Sequence, residues 1–184
     1  MELVSKPVSY SQTTLTELMI PSYANFGGKI HGGILLSLMD KVAYACASRH
    51  AGAYCVTVSV DTVDFLQPVE VGNLVSLKAS VNYVGNTSVV VGIRVEAENV
   101  KSGEIKHTNT SYVTMVAKGE DDKPTKVPGL ILENEVDVRR FLQAMARKEL
   151  RQKNRKEMEA ASSSFNLKEE MVKLDKERCS VKLI

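Results

Sequence analysis

The chain has 184 residues, of which 43% are hydrophobic and 25% charged, and its formal net charge is only +2. These proportions are typical of a folded globular protein, and the small charge argues against a nucleic-acid partner bound through bulk electrostatics. No apolar run approaches the ~20 residues of a membrane span, and the N-terminus has no apolar segment typical of a secretory signal, which predicts a cytoplasmic protein without a membrane partner.

The first predicted elements are a strand over residues 13–20, a glycine-rich loop and a long helix. The loop runs from Asn25 to Gly33 and contains four glycines. From Gly32 to about His50, apolar residues recur with the period of a helix, and at 1.5 Å per residue this helix is roughly 28 Å long. Few of its residues are strongly polar. We therefore expect other structure to cover it on most sides.

Four further strands are predicted after this helix. Residues 56–61, 75–83, 89–96 and 105–116 alternate between apolar and polar types or are rich in β-forming residues. Glycine, proline and asparagine mark the joints between them. The order of strand, apolar helix and successive strands predicts an α+β fold in which an antiparallel sheet curves around a central helix.

Charge divides the chain into two parts. Residues 118–184 hold 16 of the 24 Lys and Arg and 13 of the 22 Asp and Glu. We therefore place the domain at residues 1–120 and a linker at 121–132. A helix is predicted over 133–160, amphipathic at first and then charged, and residues 161–184 are expected to be flexible. The apolar stripe of this helix, Val138, Phe141, Leu142, Met145, Ala146 and Leu150, could pack on the domain or on a neighbouring subunit.

Asp40 is the first candidate for chemistry, because it sits among apolar neighbours in the middle of the long helix. A buried, unpaired carboxylate is costly, so it normally acquires a partner, a raised pKa or a function. The alternative is that Asp40 simply faces solvent beside Lys41, or pairs with Arg49 or Lys29.

The glycine loop is the second candidate. Glycines before a helix let backbone N–H groups approach a ligand, and the start of a helix favours negative charge. Such a site can polarise a carbonyl as its oxygen becomes an oxyanion. Asn25 can hold a water or a carbonyl oxygen, although an asparagine in a loop is more often a turn former. His31 fits a capping role better than that of a base.

Helix geometry constrains how these two candidates cooperate. Asp40 lies eight residues after Gly32, which is about 12 Å along a helix. At that distance the two residues of one chain cannot both contact the same carbonyl group. If they act together, they come from different subunits. The simplest arrangement is a two-fold dimer with two equivalent sites.

Several other functions lack the residues that they require. The chain has no G-x-S-x-G elbow of a serine hydrolase and no nucleotide-binding glycine motif. Its three histidines and three cysteines do not cluster at the spacings of metal ligands, so we expect no metal site. Cys46 and Cys55 look like small core residues. The basic segment at 147–156 is balanced by acids and lacks aromatics, which favours a solvated face over an RNA surface.

The segment NFGGKIHGGILLSLMD, from Asn25 to Asp40, resembles the motif of hotdog-fold acyl-CoA thioesterases of the cytosolic acyl-CoA hydrolase group. That group pairs an N-x-x-G-x-x-HGG loop with a helix carrying L-x-x-M-D. The segment TVDFLQPVEVGN at 62–73 is similar to the group's F-L-x-P-V-x-x-G stretch, and Gly85–Ser88 is similar to its G-x-(T/S)-S segment. The likeness covers roughly residues 8–117.

The resemblance implies a hotdog fold and hydrolysis of acyl-CoA to a free acid and CoA, without a cofactor. Asp40 matches the catalytic acid, as general base or nucleophile. Asn25 matches an asparagine that acts from the partner subunit, and the N–H groups of Gly32 and Gly33 would stabilise the oxyanion. Members are typically hexamers built as trimers of dimers. The remaining candidates are contacts to CoA: His31 and, near the pantetheine arm, Thr87 and Ser88, with Arg94, Lys101 and Lys106 chosen by charge alone for the phosphates.

Two other functions stay open. An acyl-thioester dehydratase could recruit His31, but its H-F-P-G-type motif is absent. A non-catalytic acyl-CoA-binding module on the same fold is the second possibility, and it has no need of an acid aimed at an anionic ligand. The sequence does not reveal the preferred acyl-chain length, because one methylene changes binding by only ~1 kcal/mol, nor does it reveal regulation by a nucleotide or CoA.

Overall fold

The computed structural model describes residues 4–182. Its main sheet has five antiparallel strands in the order β2-β4-β5-β6-β3. The strands are β2 (Thr13–Leu18), β3 (Tyr54–Val60), β4 (Leu74–Val84), β5 (Ser88–Asn99) and β6 (Glu104–Lys118). Helix α2 (Gly32–Ala51) contacts all five strands. The predicted α+β arrangement of a curved antiparallel sheet around one central helix, a hotdog fold, is therefore confirmed.

The core forms where α2 meets the concave face of the sheet. Alternate residues of β4 and β5 face inward, and they include Leu77, Val81, Val91, Ile93 and Val95, each at most 1% exposed. From the helix, Met39, Val42, Ala43, Cys46 and Ala47 fill the space against them. Gly52, with φ of 69°, ends the helix because its left-handed conformation suits glycine.

The segment predicted as a linker packs onto the domain. Val127 is buried and its N–H donates to the carbonyl oxygen of Asn86 at 3.0 Å. A short parallel pair joins β1 (Lys6–Pro7) to β7 (Leu130–Ile131), and helix α1 (Val8–Ser11) follows β1. The sequence patterns did not reveal this pair, because two residues are too few to show a period. Residues 121–132 therefore make backbone contacts with the domain, and their assignment as a linker stays a prediction.

By its internal contacts the chain divides into two compact units, which meet between Ala144 and Met145. The first unit includes the start of helix α3 (Glu135–Ser163), where the ring of Phe141 lies 5.1 Å from that of Tyr83 and Ala144 is buried. Phe141 of the predicted apolar stripe thus packs on the domain, whereas Val138 and Leu142 are exposed in the single chain, and their packing on a neighbouring subunit stays a prediction.

The second unit, from Met145, contains the rest of α3, helix α4 (Leu167–Glu170) and a 3-10 turn at Met171–Lys176. The predicted flexibility of residues 161–184 stays a prediction. Its last two residues lie outside the described part of the chain. None of the helices within residues 4–182 combines the length and hydropathy that crossing a bilayer requires.

Candidate active site

The carboxylate of Asp40 is held by a hydroxyl from the neighbouring strand. Thr57 Oγ1 donates a hydrogen bond of 2.6 Å to Asp40 Oδ1, which is short for such a bond and typical of an ionised acceptor. Within the single chain Asp40 is exposed rather than buried. Lys29 instead pairs with Glu70, and Arg49 donates to Gln12 and Thr13. The suggested ion pairs of Asp40 are therefore absent among residues 4–182.

Thr57 reaches Asp40 because it lies on the inner face of β3. Cys55 and Thr57 pair in regular register with the buried Ala117 and Met115 of β6, and the register shifts only after Thr57. The bulge there changes the direction of the residues that follow. Cys55 and Thr57 face α2, whereas Val58 and Val60 stay exposed. The alternation of valines and polar residues did not indicate Thr57, because it normally places the polar series towards solvent.

A cavity of about 390 Å³ opens beside this pair. Its lining is mostly apolar or aromatic and consists of Asp40, Lys41, Tyr44, Tyr54, Cys55, Val56, Thr57 and Met115. The rings of Tyr44 and Tyr54 lie 6.0 Å apart at one side. Burial raises the pKa of the Cys55 thiol, so Cys55 lines the cavity as a protonated thiol and does not act as a nucleophile. The cavity can hold an apolar chain next to a carboxylate.

The side chain of Asn25 shapes the glycine loop. Its Oδ1 accepts hydrogen bonds from the N–H groups of Gly27 at 2.9 Å and Lys29 at 3.2 Å. This is an Asx turn, the turn-forming role weighed for Asn25. Gly28 has a φ of 74°, a conformation that favours glycine. The turn presents Phe26 fully to solvent.

His31 is the N-cap of α2. Its Nδ1 accepts a hydrogen bond of 2.9 Å from the N–H of Gly33, so the predicted capping role is confirmed. This bond occupies one of the two N–H groups predicted for an oxyanion. A Cβ at Gly32 would lie 3.4 Å from the ring of Phe65, so that ring lies against the start of the helix. Of the two N–H groups, that of Gly32 is the one that the His31 side chain leaves unoccupied.

The structure does not bring the loop and the acid together within one chain. Neither Asn25, His31, Gly32 nor Gly33 lines the cavity at Asp40. This agrees with the separation of about 12 Å that helix geometry predicts between Gly32 and Asp40.

The other predicted contact residues lie elsewhere on the sheet. Thr87 ends the turn between β4 and β5 and Ser88 begins β5; the carbonyl oxygen of Thr87 accepts a hydrogen bond from the N–H of Ala117. Arg94 is on the convex face and pairs with Glu96 at 2.7 Å. Lys101 and Lys106 are at the far hairpin, where Lys106 pairs with Glu104. None of these residues lines the cavity at Asp40.

No group of three or more His, Cys, Asp or Glu side chains within residues 4–182 is arranged to hold a metal ion.

Comparisons with known proteins show the family. Residues 27–104 match the model of the thioesterase superfamily. Protein VdlD of Helicobacter pylori is 50% identical over 137 residues, which are 74% of this chain and 78% of that protein. The chain belongs to the thioesterase superfamily.

Solved structures of similar proteins agree with this assignment. A hexameric acyl-CoA thioesterase has 39% sequence identity and a TM-score of 0.80, covering 83% of this chain and 97% of that one. An acyl-CoA hydrolase of Staphylococcus aureus, solved with butyryl-CoA and CoA, has 31% identity and a TM-score of 0.78, covering 86% and 97%. The same enzyme has been solved with alanine replacing one asparagine, one aspartate or one threonine.

Proposed function

We propose that this thioesterase-superfamily protein hydrolyses acyl-CoA thioesters to a free carboxylic acid and CoA at Asp40. The observation that carries the proposal is the carboxylate of Asp40, fixed by Thr57 at 2.6 Å on the wall of a largely apolar cavity. The cavity would take the acyl chain, and the carboxylate would face its thioester carbonyl.

The chemistry requires water to add to the thioester carbonyl and the thiolate of CoA to leave. Thr57 occupies Oδ1 of Asp40, which leaves Oδ2 to take a proton from the attacking water. In the nucleophilic variant Oδ2 attacks the carbonyl itself and CoA leaves as its thiolate; water then hydrolyses the resulting anhydride, which regenerates the Asp40 carboxylate and releases the proton that the thiolate takes up. In both variants the carbonyl oxygen becomes an oxyanion, which the N–H of Gly32 would stabilise at the start of α2. CoA enters only as part of the substrate and the product.

A second subunit would complete the site. The outer edge of β3 pairs with no strand of the described chain, and Tyr54, Val58 and Val60 are exposed along it. Leu36 and Tyr44 are exposed on the same face of α2 as Asp40. Such an apolar edge is typical of an interface. Pairing of two such edges would form a two-fold dimer, so that the glycine loop of one subunit approaches Asp40 of the other.

The comparisons support this division of roles. In the Staphylococcus aureus enzyme the replaced asparagine and aspartate are 15 residues apart, and the aspartate and threonine 17 apart. The same spacings separate Asn25, Asp40 and Thr57 in this chain. We therefore assign Asn25 to position the water or thioester oxygen from the partner subunit, and Thr57 to position Asp40. Hexameric thioesterases among the relatives support a trimer of such dimers.

The remaining contacts belong to the CoA arm. Thr87 and Ser88 are proposed to contact the pantetheine because they match the G-x-(T/S)-S segment of the family, and His31 because it ends the glycine loop that would approach Asp40 from the partner subunit. Lys106 is proposed for a CoA phosphate by charge alone, and its pairing with Glu104 at 3.4 Å is loose enough to exchange partners.

Thiol release from acyl-CoAs of two to eighteen carbons tests the proposal. The wild type should turn over at least part of the panel, and Asp40→Asn, which keeps shape and removes the carboxylate, should lose at least ~100-fold in kcat. Glu157→Gln makes the same change from carboxylate to amide at an exposed position of α3 outside the cavity, and this control should keep the wild-type kcat. Unchanged turnover in Asp40→Asn would refute the role of Asp40. Binding of CoA without turnover of any chain length would favour a non-catalytic module.

A further inference from the structure

A second cavity lies on the convex face of the sheet, where β4, β5 and β6 meet the start of α3. It has a volume of about 240 Å³ and is lined by eleven residues, of which Lys78, Arg94, Arg139 and Arg140 are cationic and none is acidic. A single water needs only about 15 Å³ of such space. The cavity is therefore large enough for a charged organic group.

The positive charge of this cavity is not balanced by the chain. Lys78 and Arg94 are directly opposite each other on β4 and β5, and like charges in that position destabilise a sheet. Glu96 relieves the repulsion by accepting from both, at 2.6 and 2.7 Å. Arg139 and Arg140 then add two further charges, and within residues 4–182 neither has a carboxylate partner. Cations near the start of a helix also gain nothing from its dipole.

The floor of the cavity is polar and buried. Ser80 and Asn82 are 8% and 5% exposed, and Ser80 Oγ donates to Asn82 Oδ1 at 3.1 Å. This bond turns Asn82 Nδ2 over Gly92, so closely that a Cβ at Gly92 would lie 2.2 Å from it. Asn82 thus lines the floor of the cavity, where its amide N–H groups can donate to an oxygen acceptor of a bound molecule.

We infer that this cavity, the convex-face pocket, binds a phosphate group. Arg139, Arg140 and Arg94 would approach its oxygens from the rim, and Asn82 Nδ2 would donate to it from the floor. Arginine suits this task because its planar donors match a phosphate. The phosphate could belong to the CoA portion of the substrate or to a free nucleotide, and the two share the chemistry that the pocket recognises.

Binding of adenosine 3′,5′-bisphosphate and inorganic pyrophosphate to the full-length oligomer tests the inference. The variant Arg139→Gln/Arg140→Gln should weaken binding at least ~10-fold, since it removes two charge-assisted contacts. The control Lys123→Gln/Arg155→Gln loses the same charge at exposed positions outside the pocket and should bind as the wild type does. Melting temperature and oligomer size verify that both variants fold.

Steady-state kinetics then identify the source of the phosphate. This part of the experiment rests on the proposed hydrolysis of acyl-CoA. If the substrate supplies it, the pocket variant should raise KM about tenfold for acyl-CoA and not for acyl-pantetheine, which has no phosphate. If a free nucleotide supplies it, both KM values stay unchanged while nucleotide binding is lost. No binding by the wild type at millimolar ligand, or equal binding by wild type and pocket variant, would overturn the inference. A wild type that binds but hydrolyses nothing would refute only the hydrolysis.

Discussion

The hydrogen bond from Thr57 to Asp40 gives a quantitative prediction. Replacing Thr57 with valine keeps the branched shape that a strand favours and removes only the hydroxyl that donates to Oδ1 at 2.6 Å. A hydrogen bond to a charged group contributes ~1.5–3 kcal/mol. Because both side chains are exposed in the single chain, we expect the lower end of this energy range. A loss of ~1.4 kcal/mol in transition-state stabilisation lowers a rate about tenfold.

The assay is steady-state thiol release with an acyl-CoA that the wild type turns over. Because Thr57 acts through Asp40, Thr57→Val should lower kcat about tenfold and leave KM nearly unchanged. Thr57→Ser, which retains the hydroxyl, should recover most of the rate. Thr16→Val is the matched control, since Thr16, on the edge strand β2, shares its hydrogen bond with the neutral hydroxyl of Ser76 on β4. A wild-type kcat in Thr57→Val, or an equal loss in Thr16→Val, would refute the positioning of Asp40 by Thr57.

Two further predictions concern stability. His50 is buried, with its Nε2 bonded to the carbonyl oxygen of Pro128, and burial lowers the pKa of its imidazole. As the pH falls below about 6.5, the unfolded chain therefore binds a proton at His50 before the folded chain does, and the free energy of unfolding should decrease. Urea midpoints at pH 7.5 and 5.5 should differ more in the wild type than in His50→Gln, and equal differences would contradict this. Gly92→Ala should destabilise by ~1–3 kcal/mol, because its Cβ would collide with Asn82. Adding Asn82→Ala should recover part of the loss, and strict additivity in thermal denaturation would exclude the collision.

The long-range architecture could be predicted from the sequence because the patterns are long. The helix that starts at Gly32 shows its period over some five turns, and the strands around Val81 and Val91 alternate over ten residues or more. The short β1–β7 pair has no period to show. The apolar stripe of α3 indicates that something covers it but not what does, and only the structure shows that Phe141 and Ala144 are its residues packed on the domain.

The candidate site divides in the same way. Asp40 and Asn25 could be proposed from motif and spacing, and the capping role of His31 followed from its place before the helix. Thr57 could not, because the alternation of valines with polar residues places the polar series towards solvent, whereas the register with β6 puts Thr57 on the same inner face as Cys55. The pocket on the convex face was equally hidden, since Arg94 and Arg139 are 45 positions apart and meet only through the packing of α3.

Subunit complementation tests the central claim, that Asp40 of one subunit works with Asn25 of another. Asn25→Ala and Asp40→Ala should each be nearly inactive as pure oligomers. The two variants are co-expressed with different tags, so that their subunits pair at random. Half of the dimers then contain both variants, and each of these has one intact site out of two, so activity should recover to about a quarter of the wild type. Mixed oligomers that contain both variants and stay inactive would contradict a shared site.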